Sequence, residues 1–148
     1  MGLWLRQKAK ALAELIGYQE TKILQAVFAA AGAAQASNGY RQLPTLYGPM
    51  LARYDDMIAR QLEAYGGHTR PELAMVLDLI KPGAVVVDAG AHIGSFAVPL
   101  AQKVGPTGKV LAFEPDPENF ALLCRNSELN KVSAQVQAFC GIVTDQPG

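Results

Sequence analysis

Ala84-Val85-Val86-Val87-Asp88-Ala89-Gly90-Ala91-His92-Ile93-Gly94 decides the fold of this chain. Its first four residues are apolar and mostly β-branched. So short and continuous a run predicts a strand buried on both faces of a parallel sheet. Asp88–Gly94 predicts a loop and Ser95–Val104 a helix. Upstream, Thr69-Arg70-Pro71-Glu72 has the pattern of a capping box, with Thr69 as N-cap. Leu73, Val76, Leu77 and Ile80 then share one helical face, and Lys81-Pro82-Gly83 stops the helix. Downstream, Gly105-Pro106-Thr107-Gly108 predicts a turn and Lys109–Phe113 a second strand. Asp116-Pro117 is an N-cap followed by a first-turn proline. It opens a helix over Pro117–Leu129 that buries Phe120, Leu123 and Cys124, and Val132–Phe139 predicts a third strand.

Alternation of helix and strand with short connections predicts right-handed crossovers in a Rossmann-like, doubly wound parallel α/β sheet of about three strands. Residues 1–36 carry Leu3, Leu5, Leu12, Leu15 and Ile16 at helical spacing. The expected division is therefore a helical extension over 1–44 and a domain over 45–148. Tyr47-Gly48-Pro49 interrupts any periodicity, and Tyr54–Leu62 reads as a short helix or strand.

Composition narrows the function classes. The 148 residues are 50% hydrophobic and 18% charged, which excludes a disordered tail. Thirteen basic residues balance thirteen acidic ones, so no global basic footprint points to nucleic acid. Two cysteines, Cys124 and Cys140, suit a reducing, cytoplasmic setting. The uncharged stretch Ile23–Tyr40 is interrupted by Gln25, Gln35, Ser37 and Asn38, too polar for the ~20 apolar residues of a stable membrane span. His68 and His92 lie far apart in sequence with no Cys/His cluster, so no metal site is expected.

Ligands of such sheets sit at the carboxyl ends of the strands. Asp88 stands at the end of the first strand, with Gly90 two residues on and Gly94 opening the next helix. A dinucleotide would bring its pyrophosphate over this loop. A fixed carboxylate there costs about 4 kcal/mol per charge pair at 4 Å with an effective dielectric near 20. The G-x-G-x-x-G fingerprint also fails, because His92 stands between Gly90 and Gly94. S-adenosylmethionine (SAM) brings an ammonium and a sulfonium that suit Asp88, and a carboxylate that suits loop N–H groups. Glu114, 26 residues after Asp88, ends the second strand where an acid can accept both ribose hydroxyls. The ring of His92 reads as incidental to the loop, His68 as solvent-facing, and Asp145 as either a contact to the adenine amine or a plain turn residue.

Asp88-Ala89-Gly90-Ala91-His92-Ile93-Gly94, followed by Val110-Leu111-Ala112-Phe113-Glu114-Pro115 and by the pattern of Asn119-Phe120 and Leu122-Leu123, resembles the FkbM-type methyltransferases, a branch of the class I SAM-dependent superfamily. Tyr47-Gly48-Pro49-Met50-Leu51, Asp56 and Tyr65-Gly66 look like that family's lead-in. His92 departs from its usual Asn, and Gly67 from its frequent Glu. The resemblance implies methyl transfer from SAM to a hydroxyl of a small molecule or sugar. Its cofactor residues carry over onto Asp88, Gly90, Gly94 and Glu114. With the residues between and beside them, the expected cofactor-binding set is Asp88, Ala89, Gly90, Ala91, His92, Gly94, Glu114 and Pro115.

The expected partners are a small-molecule or sugar acceptor, with no nucleic acid. A class I fold has further strands, so the 148 residues read as its cofactor-binding part, expected to be inactive alone, and no catalytic residue is named. The alternatives are an NAD(P)-binding oxidoreductase domain and a truncated, non-catalytic SAM-binding module.

Overall fold

Parallel pairing organises the C-terminal part of the chain. In the computed structural model, which describes residues 39–145, strands β3 (Val85–Ala89), β4 (Lys109–Phe113) and β5 (Val136–Phe139) form one sheet in the order β3-β4-β5. Both pairings are parallel. The crossovers carry helices α3 (Ala97–Val104) and α4 (Pro117–Leu129). The three-strand parallel α/β sheet is the architecture that the alternating pattern predicts.

Register sets the two faces of this sheet. Val86, Val110 and Val136 lie abreast, as do Asp88, Ala112 and Ala138. Val110 and Ala112 are fully buried, in the same cluster as Ala97, Val98, Ala101 and Val104 of α3. The alternate face is open among the described residues: Val85 is 67% exposed and Val87 58%. Burial of the valine strand on both faces is therefore not found. A continuous apolar run carries no facing information of its own, and β3 is an edge strand covered on one side only.

An antiparallel hairpin precedes the sheet. Strands β1 (Tyr40–Thr45) and β2 (Gly48–Arg53) are joined through Leu46 and Tyr47. The Thr45 hydroxyl closes the turn by donating to the Gly48 carbonyl at 2.6 Å and accepting from the Tyr47 N–H at 3.2 Å. The division expected after residue 44 falls inside β1, and the helix expected over residues 1–36 lies outside the described residues. So does the apolar stretch from Ile23, except for Gly39 and Tyr40.

Two helices fill the interval before β3. Helix α1 (Met57–Tyr65) is capped by Asp56, which accepts from the Ile58 and Ala59 N–H groups, and ends at Gly66 with φ 69°. Helix α2 (Arg70–Leu79) buries Leu73 and packs Val76 and Leu77 on the core, joined by Ile80 just past its end. Its expected capping box does not form. Thr69 has φ 38° and makes no side-chain cap bond, whereas a capping side chain needs the extended backbone that this tight connection denies it. Among the described residues no helix is long and apolar enough to cross a membrane.

Candidate cofactor-binding site

The end of β4 draws the glycine loop onto itself. The N–H groups of Gly90 and Ala91 both donate to the Phe113 carbonyl at 2.9 Å. The next one, His92 N–H, donates to Glu114 Oε2 at 2.8 Å. Glu114 Oε1 accepts from the Asp116 N–H at 3.0 Å. Three consecutive loop amides are thus tied to the adjacent strand end, and are not free for a ligand carboxylate as the sequence reading supposes. Glu114 is only 5% exposed, and its two donors fix the plane of its carboxylate.

A loop that folds back this sharply needs left-handed backbone. Gly90 (φ 82°), His92 (φ 51°) and Gly94 (φ 89°) supply it at alternate positions. A Cβ on Gly94 would stand 3.0 Å from Leu123 Cδ1, so that glycine lets the loop close on α4. A Cβ on Gly90 would meet nothing within 4 Å, which leaves open space beside the loop at that position.

Asp88 lies in β3 opposite Ala112. Its Oδ2 is buried without a hydrogen-bond partner. Burial, and then the nearby Glu114 charge, push its carboxyl up to about 6. A half-buried acid with an orphaned oxygen, close enough to a second acid to feel its charge, is short of a cation. A ligand bearing positive charge would relieve both causes. SAM, with a sulfonium and an ammonium, meets that need.

The remaining expected residues have separable roles. Ala89 and Pro115 are exposed at the strand ends. Ala91 is 2% exposed, so its methyl faces the core and only its backbone shapes the loop. Gly94 precedes α3 by one turn, its carbonyl accepting from the Val98 N–H at 3.0 Å. Asp145 is exposed in the irregular stretch after β5. The surface depression lined by Gly39, Tyr40, Arg53, Tyr54, Asp55 and Glu118 contains none of the predicted site residues.

Two histidine readings are corrected. His68 is half-buried, its Nδ1 2.7 Å from Gln61 Oε1 and its ring edge-on to Phe96. Burial, and then the proximity of His92, lower its pKa. The His92 ring faces a buried acid: its Nε2 lies 3.6 Å from Oδ2 of Asp56, beyond hydrogen-bond distance. Asp56, named in the sequence only within the lead-in to the resemblance, is here the N-cap of α1, as Asp56-Met57-Ile58-Ala59 allows. Asn126 was missed, since a mid-helix Asn carries no long-range signal.

A parallel three-strand sheet with helices in its crossovers is a Rossmann-like fold of the kind found in methyltransferases. The solved structure of Pyrococcus horikoshii TYW2 in complex with MeSAdo shares it, with a TM-score of 0.60, 24% identity, and coverage of 91% of this chain and 52% of that one. Residues 64–146 match the TRM5/TYW2 methyltransferase domain, more than half of the chain, and the chain belongs to that family.

Two curated relatives are similar at the sequence level. The tRNA (guanine(37)-N(1))-methyltransferase of Homo sapiens is 38% identical over 68 residues, which cover 46% of this chain and 13% of that protein. The tRNA(Phe) (4-demethylwyosine(37)-C(7)) aminocarboxypropyltransferase of Pyrococcus horikoshii is 38% identical over 77 residues, covering 52% and 27%. The chain thus spans about a quarter or less of these relatives.

These matches overturn two expectations. The family is TRM5/TYW2 and not FkbM. The loop and the Phe113-Glu114-Pro115 strand end answer a geometric need, for positive φ and for an acid that takes two N–H donors. Any family built on this fold can meet that need, so the motif does not discriminate between families. The expectation of a small-molecule or sugar acceptor with no nucleic acid is overturned too, since both relatives are named for action on tRNA. A neutral total charge does not exclude such a partner, because it says nothing about local contacts.

Proposed function

We propose that this chain is the SAM-binding part of a methyltransferase that acts on tRNA. The observation that carries the SAM assignment is the acid pair itself: Asp88 with an orphaned buried oxygen and Glu114 held by two backbone donors, around the open space at Gly90. Membership of the TRM5/TYW2 family supports the methyltransferase reading, and the names of the relatives support tRNA as acceptor.

Asp88 supplies negative charge for the cationic end of the cofactor, and Glu114 offers its remaining lone pairs to the ribose hydroxyls. Bound SAM supplies a methyl group on a positively charged sulfur, which makes the thioether a good leaving group. The protein's task is then mostly to hold donor and acceptor in line. The left-handed loop does this for the donor by tying Gly90, Ala91 and His92 to β4.

A second reading is favoured by the Pyrococcus relative, whose name gives an aminocarboxypropyl group as the one transferred. SAM carries both groups on the same sulfur. The products separate the readings: methyl transfer leaves S-adenosylhomocysteine, and aminocarboxypropyl transfer leaves methylthioadenosine.

Calorimetric titration of the purified chain with SAM and with NAD tests the cofactor. Binding of SAM and none of NAD is expected; NAD binding with no response to SAM sinks the proposal. Incubation of methyl-labelled SAM with bulk tRNA, alongside the chain and a longer protein containing it, tests the acceptor. Label in tRNA supports methyl transfer to it, tRNA-dependent formation of labelled methylthioadenosine supports the second reading, and neither outcome with either protein removes tRNA as the acceptor.

A further inference from the structure

We infer that His92 is a positioning residue of the cofactor loop, held in place through its ring by Asp56 at the start of α1. The inference rests on the proposed SAM site for its binding readout.

His92 is one of three non-glycine residues with positive φ among the described residues, and it stands between two glycines that share that conformation. A side chain there carries backbone strain that glycine would avoid. The N–H that His92 donates to Glu114 holds the backbone in this conformation, and the ring has a contact of its own. Its Nε2 lies 3.6 Å from Asp56 Oδ2, and its Nδ1 is buried with no hydrogen-bond partner, so Asp56 is the polar anchor that the structure offers the ring.

The carboxylate is divided between two tasks. Asp56 is 6% exposed. Its Oδ1 accepts from the Ile58 N–H at 2.6 Å and the Ala59 N–H at 3.4 Å, capping α1. Its Oδ2 has no hydrogen-bond partner and faces the His92 ring. A buried carboxylate oxygen without a partner is costly, and the imidazole Nε2 of His92 is a polar atom that the fold sets against it. The same residue's backbone N–H donates to Glu114. His92 therefore has a contact at both ends: its N–H donates to the acid expected to take ribose, and its ring lies 3.6 Å from the acid that caps α1. The placement of the loop against Glu114 depends on a helix some thirty-five residues upstream in the chain.

Three variants of the 148-residue chain separate ring, charge and backbone. Asp56→Asn keeps a capping side chain, since Asn caps helices as well as Asp, but removes the charge facing the ring. His92→Gly removes the ring and relieves the backbone strain. The double variant measures their coupling. By calorimetry each single variant is expected to bind SAM about 5–20-fold more weakly, a span of roughly 1–2 kcal/mol, and the double variant no more weakly than either. Native affinity in Asp56→Asn or in His92→Gly overturns the inference, as do losses that multiply in the double variant.

Amide hydrogen exchange supplies a readout free of cofactor. In Asp56→Asn the His92 amide is expected to exchange at least about tenfold faster, while Ile58, Ala59 and the α4 amides keep their protection. Unchanged His92 exchange sinks the inference even where SAM affinity falls. If the native chain binds no SAM, the proposed function fails, and the exchange comparison still decides whether Asp56 holds the loop.

Discussion

The side-chain amide of Asn126 pairs with both main-chain groups of Leu51: Oδ1 accepts from the N–H at 2.6 Å and Nδ2 donates to the carbonyl at 2.9 Å. Its second amide hydrogen goes to the Ile93 carbonyl at 2.8 Å, inside the cofactor loop. One fully buried side chain on α4 thus acts as a strand partner for β2 and a tether for the loop. Four residues on, Asn130 Nδ2 donates to the Pro49 carbonyl at 2.7 Å, extending the same seam.

Truncating Asn126 would leave the Leu51 and Ile93 groups unpaired in the interior. Each buried polar group without a partner costs about 1–3 kcal/mol. Asn126→Ala is therefore expected to lower the unfolding free energy by about 2–4 kcal/mol in urea titrations. Asn126→Asp, which keeps the acceptor and loses both donors, should also destabilise. A loss below about 0.5 kcal/mol for the alanine variant would show that water replaces these bonds freely.

The elements at the sheet were legible because their signals are local. Lys109–Phe113 and Pro117–Leu129 agree with β4 and α4 at both ends, where Asp116-Pro117 marks the helix start and alternating burial the strand. The hairpin was not legible. Its strands carry Pro44 and Pro49, which lie opposite one another in the register, and prolines argue against a strand from sequence alone. They are tolerated because proline is admitted on edge strands. The acids Asp88 and Glu114 could be named from their places at strand ends, but their surroundings could not. That His92 reaches Asp56, and that loop amides are consumed by Phe113 and Glu114, are tertiary facts set by left-handed backbone angles.

Asp88 makes stability and cofactor affinity respond oppositely to pH. The unfolded chain releases this proton near 3.8, the folded chain near 6. Between these values the folded state holds more protons, so the contribution of Asp88 to stability falls as pH rises through that window and is flat above it. Asp88→Asn is expected to raise stability at about pH 7.5 by roughly 1–3 kcal/mol, with the gain vanishing below about pH 4. A cationic cofactor prefers the ionised acid, so SAM affinity should weaken as pH drops below about 6 and binding near that pH should release a proton. Denaturation at both pH values, and calorimetry in buffers of different ionisation enthalpy, check the two halves. A variant no more stable at pH ~7.5 than at pH ~4, relative to native, would contradict the raised carboxyl.

Glu114 is the second cause of that shift, after burial. Glu114→Gln removes its charge, so Asp88 should titrate at lower pH than in the native chain, yet above 3.8 because burial persists. Carboxyl carbon NMR titration reads this directly, and an unmoved Asp88 midpoint would separate the two acids electrostatically. The same substitution turns one acceptor oxygen into a donor facing a backbone N–H, at His92 or Asp116. It should destabilise the fold by about 1–3 kcal/mol.

Gly90 and Gly94 differ in what surrounds them, and alanine should expose the difference. Both have φ above 80°, so either substitution carries the strain of left-handed backbone, about 1–2 kcal/mol. At Gly94 the new methyl also presses on Leu123 Cδ1 at 3.0 Å, whereas at Gly90 it enters open space. Gly94→Ala should be the more destabilising in denaturant titrations. Gly90→Ala should be the milder for folding while weakening SAM binding more than its stability loss accounts for, because its methyl enters the open space beside the loop proposed to hold the cofactor. Equal stability losses at the two positions would mean that Leu123 yields without cost.

The open face of β3 makes the isolated chain prone to self-association. Val85 and Val87 project from an edge strand, 67% and 58% exposed, and among the described residues no strand pairs with the outer side of β3. Exposed apolar side chains next to unpaired backbone donors and acceptors favour edge-to-edge pairing. Val87→Lys places a charge on that face without touching Val86, which packs inward on the core. The variant should remain monomeric in sedimentation velocity at concentrations where the native chain forms larger species, with SAM affinity unchanged within about twofold. Equal association of the two chains would shift the source of stickiness elsewhere, for which Ile142 and Val143, 69% and 58% exposed beyond β5, are the next positions to change.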